Sequence, residues 1–127
     1  MFVDGHEDAW DPRVSPTGES SDCEMGIALG DVALPAGLDF GSPAVAERDT
    51  AFLGPRDRQE ILDGGWRSLA DRVPLVDGET LAASSVREVA REHAERLRNT
   101  TTRWWLHVDL DVLSTRSEEH TSELQSL

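Results

Sequence analysis

The apolar positions of this 127-residue chain fall into short runs, separated by polar stretches that hold most of the turn-forming residues. Phe2-Val3 opens the chain as a strand, and Thr50-Ala51-Phe52-Leu53 before Gly54-Pro55 reads as a buried strand. Val73-Pro74-Leu75-Val76 is a weaker strand, because proline cannot donate to a ladder. Arg103 to Val108 supplies the last one. Helical spacing is clearest from Ser85 to Leu97, where Val86, Val89, Ala90, His93, Ala94 and Leu97 form one stripe. Ser21-x-x-Glu24 and Ser85-x-x-Glu88 both have the capping-box pattern, and Asp57 to Glu60 starts a brief helix that Gly64-Gly65 ends. Asp11 to Ser21 and Asp31 to Asp49 read as surface connections. Strands alternating with helices predict an α/β fold, a parallel sheet flanked by helices. In such sheets, sites form at the carboxyl ends of the strands.

Two acidic clusters sit at such ends. Asp4, His6 and Asp8 follow Phe2-Val3, and Asp109 and Asp111 follow His107-Val108. If strand alternation continues through each cluster, its members share a face. Buried like charges cost several kcal/mol unless a cation neutralises them, so the pattern points to a divalent-metal site. An oxygen-rich set with one imidazole suits a hard ion such as manganese better than zinc. On the same alternation Glu7 points to the surface. His107 lies one pleat deeper than Asp109, as a hydrogen-bonded supporting histidine. His93 packs on the helix stripe, and Cys23 is a buried small side chain with no activating histidine near it in sequence. Trp66, Trp104 and Trp105 read as core or strand-flanking aromatics.

The net charge of −13 supports this chemistry, since it attracts cations and argues against nucleic acid or an anionic membrane as partner. No apolar run approaches the ~20 residues of a spanning helix. A single cysteine excludes an internal disulfide and fits a reducing cytoplasm.

Asp4-Gly5-His6-Glu7-Asp8 resembles the D-x-H-x-D signature of the arginase/agmatinase/formiminoglutamase (ureohydrolase) family, and Asp109-Leu110-Asp111 resembles its D-x-D signature. Phe52-Leu-Gly-Pro-Arg-Asp57 is similar to the family's G-x-R-D segment. The resemblance implies a three-layer arginase-like fold, incomplete at both ends. It also implies a site for two Mn2+ ions. Asp4 and Asp109 would bridge both ions, His6 and Asp111 would complete one, and Asp8 would serve the other. The activity implied is hydrolysis of a C–N bond in a small guanidino or formimino substrate by a metal-bridging hydroxide, in a homo-oligomeric parent. Glu19, in the loop where the family reads its substrate, is the candidate substrate contact. In the family the second ion's histidine belongs to a G-G-D-H segment on an earlier strand, which is absent here, so the fragment alone is expected to be inactive and poorly stable. Ser20-Ser21-Asp22 stand where several members have a histidine, and Gln59 stands where arginases have a substrate-contacting acid. A non-catalytic acidic fragment and a deacetylase-like single-zinc relative are the alternatives.

The family usually continues D-x-D with Asp-Pro two residues on, whereas Val112-Leu113 is followed by Ser114-Thr115. Residues 116–127 lack any apolar periodicity and resemble a translated sequencing-library adapter. The expected organisation is a partial α/β domain over 1–115 and a non-native tail over 116–127. Without the tail the charge is still −11, 11 basic against 22 acidic residues. Deleting 116–127 should leave stability in urea unchanged within ~0.5 kcal/mol. A larger loss in the same titration would make the tail part of the fold.

Overall fold

A computed structural model of the chain describes residues 1–33, 37 and 43–113, so the 116–127 tail lies outside the described residues. Four two-residue strands, β1 (Phe2–Val3), β2 (Phe52–Leu53), β3 (Leu75–Val76) and β4 (His107–Val108), form one sheet in the order β3-β2-β1-β4. Every pairing is parallel, as the alternation of strands and helices predicts. Leu75, Phe52, Phe2 and His107 lie in one row across the sheet, and Val76, Leu53, Val3 and Val108 in the next. All four strands therefore end along one edge, which Asp4, Gly54, Asp77 and Asp109 begin.

The last strand is shorter than expected. Arg103 to Leu106 stay outside the ladder, and Trp104 and Trp105 are exposed rather than packed, Trp105 at 81%. Pairing begins only where the Met1 ammonium meets the Trp105 carbonyl and the His107 N–H meets the Met1 carbonyl. Pro74 is tolerated because β3 lies at the sheet margin, where the proline carbonyl still accepts from the Phe52 N–H at 2.9 Å.

Five-residue α1 (Glu24–Ala28), α2 (Arg58–Asp63), α3 (Gly78–Ala82) and α4 (Val86–Thr100) connect the strands. Phe2 and Phe52, with ring centroids 5.3 Å apart, anchor a buried cluster with Ala9, Leu29, Leu69 and Val73. Trp10, Cys23 and Ile61 form a second cluster, against which Trp66 packs while its indole N–H donates to the Ala9 carbonyl. On α4, Leu97 is fully buried and Val89, Ala90, His93 and Ala94 are partly buried. Val86 departs from the expected stripe and is 55% exposed, since the first turn projects beyond the body the helix packs on. Arg96 fastens this helix by donating to the Arg48 and Thr50 carbonyls.

Neither expected capping box forms. Ser85 starts α4 with its carbonyl alone, and Ser21 lies inside a 3-10 turn (Ser20–Cys23) that precedes α1. A side-chain cap forms instead at Asp77, whose carboxylate accepts from the Thr80 N–H and hydroxyl to start α3.

Glu7 corrects the sequence reading most clearly. Expected at the surface, it is 1% exposed and accepts from the Ser68 hydroxyl and the Leu69 N–H. The reason is that β1 stops at Val3, so strand alternation does not extend through residues 4–8. Truncating Glu7→Ala should strand both donors and destabilise the chain by about 1–3 kcal/mol for each donor left unsatisfied. Phe52→Ala should cost about 3–5 kcal/mol, while Val86→Ala stays within ~0.5 kcal/mol. Urea unfolding midpoints check all three, and an equal loss for Phe52 and Val86 would contradict the assigned core.

Candidate metal centre

The site is built from the residues that follow β1, β2 and β4. The Asp4 N–H still donates to the Leu53 carbonyl, so the backbone leaves the ladder only beyond it. Asp4 Oδ1 then accepts the His6 N–H at 2.9 Å, a two-residue bend of the kind aspartate favours. Asp4 Oδ2 meets His107 Nε2 at 3.2 Å. The His107 ring lies nearly flat on Phe2, with centroids 4.2 Å apart and planes 10° from parallel, so its orientation is set by the core. His107 thus makes the hydrogen bond expected of a supporting histidine, and its ring nitrogen also lies within reach of Asp109.

The convergence of each cluster has a different cause from the alternation expected. In the first, the bend at Gly5-His6 and a left-handed Asp8 (φ 47°) bring the side chains together. The Asp8 carbonyl holds that conformation by accepting the Met25 and Gly26 N–H groups of α1. In the second, Asp109 accepts the Asp111 N–H and caps a 3-10 turn over Leu110–Val112. Asp111 turns toward the first cluster, where its Oδ1 accepts from Gly5 N–H at 2.8 Å and its Oδ2 lies 2.5 Å from His6 Nδ1.

Ligand atoms of Asp4, His6 and Asp8 lie within 4.8 Å of one another, and so do those of Asp4, His107 and Asp109. Asp4 belongs to both groups. The five acidic and histidine residues singled out in the sequence, Asp4, His6, Asp8, Asp109 and Asp111, all line one cleft of about 300 Å³. Asp22, Asp57 and Glu60 also line it, which the sequence reading did not assign. Asp57 had a signal, since it closes the polar run after an apolar strand as Asp4 does. It is buried, and its carboxylate accepts the Glu7 N–H instead of capping α2. Glu19 is exposed and accepts from the Ser21 hydroxyl at 3.4 Å; the cleft wall includes Thr17 and Ser21 on either side of it.

The electrostatics reflect this crowding. Burial, then the charges of Asp111 and Asp109, raise Asp4 to about 6 against the lowering effect of the His6 N–H. Burial and the neighbouring Asp4 push Asp8 to about 8. Burial alone would lower the His6 imidazole, but Asp111, Asp57 and Asp8 outweigh it and leave it raised. Burial opposes ionisation of Asp111 too, yet the Gly5 N–H and His6 hold it below the usual carboxylate range. A cation placed among such carboxylates favours their ionised forms and would reverse these upward shifts.

No protein-family model and no curated protein matches the chain. Solved structures do. An arginase from Bacillus subtilis is 17% identical, over 76% of this chain and 35% of that one, with a TM-score of 0.57. The native arginase from Bacillus caldovelox is 18% identical, over 84% of this chain and 36% of that one, with a TM-score of 0.61. The chain therefore spans about a third of the length of these structures. Its parallel sheet, with the acidic cleft at the carboxyl ends of β1 and β4, has the α/β fold of arginase.

Proposed function

We propose that the chain is part of a binuclear manganese hydrolase of the ureohydrolase kind, cleaving a C–N bond in a small guanidino or formimino substrate. The observation that carries this reading is the convergence of Asp4, His6, Asp8, Asp109 and Asp111 on one cleft, at the strand-end edge of an arginase-type sheet. The donors fit a hard divalent ion, being rich in carboxylate oxygen, with a buried Asp4 whose crowded charge a cation would neutralise. Asp4 and Asp109 would hold both ions, His6 and Asp111 one, and Asp8 the other. Such an ion pair supplies Lewis-acid polarisation and a water of lowered pKa.

The chain's own groups account for the rest. His107 keeps the Asp4 carboxylate oriented, and the Glu7 N–H does the same for Asp57. Asp57, Glu60 and Asp22 give the cleft a negative wall suited to a cationic head group. Glu19, exposed in the loop between the cleft-lining Thr17 and Ser21, is kept as the candidate substrate contact. Buried Cys23 is compatible with a cytoplasmic parent, which we take to be a homo-oligomer. Among the described residues no helix is long and apolar enough to cross a membrane.

Manganese loading of the full-length parent followed by metal analysis should give two ions per chain. Asp4→Asn should lose both and Asp8→Asn one. A single ion with zinc preferred would favour the one-zinc alternative, and no bound divalent ion would overturn the proposal.

The pKa shifts give a second expectation. Asp4 and Asp8 are raised above their ordinary values, so the folded state binds more protons than the unfolded chain between about pH 4 and about pH 8. Their stabilisation is present in acid and is lost as pH rises through that window. In chelator, thermal stability should fall from about pH 5 to about pH 8, and manganese should raise the Tm more at the higher pH. A chelated chain that gains stability over this range would contradict the crowding account.

A further inference from the structure

The segment after β2 carries an arginine that the ligand assignments leave unused. The Arg56 N–H donates to the Gly5 carbonyl at 2.9 Å, in the middle of the first acidic loop. Its side chain reaches the second loop, where Nη2 donates to the Asp111 carbonyl at 2.6 Å and Nη1 to the Val112 carbonyl at 3.1 Å. One residue thus grips both loops, the first with its main chain and the second with its guanidinium. A planar fork can bond two neighbouring acceptors at once in a fixed geometry, which a lysine ammonium cannot reproduce.

Room for this grip is built into two glycines. A Cβ at Gly5 would lie 2.6 Å from Arg56 Nη2 and 2.8 Å from the Asp111 carbonyl oxygen. A Cβ at Gly78 would lie 2.7 Å from Arg56 Cγ. The Gly5 N–H also donates to Asp111 Oδ1, so Gly5, Arg56 and Asp111 form a closed three-way contact. What this contact fixes is the position of Asp111 relative to Asp4 and His6.

We infer that Arg56 is a positioning residue that sets the spacing between the 4–8 and 109–112 loops, and with it the separation of the two ions. It acts through the Asp111 main chain rather than as a ligand. The inference rests on the two-ion reading above, and the test separates the two.

The test is electron paramagnetic resonance of the manganese-loaded full-length parent, with far-UV circular dichroism as the control for folding. The parent sequence should show the exchange-coupled spectrum of a close ion pair. Arg56→Lys keeps the charge and the stem but loses the fork. It should remain folded, bind the second ion ~10–100-fold more weakly, and give the spectrum of isolated ions. Gly5→Ala, which intrudes on the same contact, should do likewise. A coupled pair with unchanged affinity in Arg56→Lys would overturn the role of Arg56 while leaving the two-ion site standing. Loss of the circular dichroism signal in both variants would make Arg56 a residue of general stability and overturn it too. An uncoupled spectrum in the parent sequence would refute the two-ion reading first, and this inference with it.

Discussion

Several carboxylates share one small cleft at the end of the sheet, and their mutual repulsion is the constraint to which the surrounding structure answers. Asp4 is nearly sealed from water, at 2% exposure, with Asp109 and Asp111 both close enough to oppose its ionisation. A charged group in such a place needs donors aimed at it, protons retained on it, or a cation between its members. The structure supplies the first and favours the second. Main-chain N–H groups of Gly5 and His6 serve Asp111 and Asp4, and that of Glu7 serves Asp57. Asp4 and Asp8 keep their protons to unusually high pH. The third is the chemistry that the donor set fits.

The scaffold holds these charges with little regular structure. Each strand contributes only two residues to the ladder, yet the common parallel direction delivers Asp4 and Asp109 to the same edge. Precision then comes from bends, a left-handed aspartate and a capped turn, each pinned by hydrogen bonds into neighbouring elements. Buried Glu7 extends the pinning to the Ser68-Leu69 segment on the side away from the cleft.

Much of this was legible in the sequence, and the misses share a cause. Parallel strands, α4 and the five acidic and histidine residues that meet in the cleft follow from apolar runs and from carboxylates just beyond them. Alternation was the wrong reason for expecting these residues to meet, because the backbone leaves the ladder just beyond Asp4 and bends bring the rest into the cleft. The same early ending hid the burial of Glu7, which no local pattern marks. Caps were misplaced because S-x-x-E describes a competence, not an outcome. Asp77 with Thr80 made the bonds that Ser21 and Ser85 did not. The negative wall of Asp22, Asp57 and Glu60 comes from separate segments, so only the fold shows it as one surface.

The contact between His107 and Asp4 joins residues 103 positions apart, and β1 sits between β2 and β4 in the sheet. Closing so long a loop carries an entropic cost that local contacts cannot offset, and such topologies fold slowly. β1 can pair with β2 before β4 docks, but the cleft exists only after both have joined it. Assembly of the acidic centre therefore cannot precede the docking of β4, and until then its aspartates keep more of their hydration. Their desolvation accompanies that docking, where an available cation would favour the joined state.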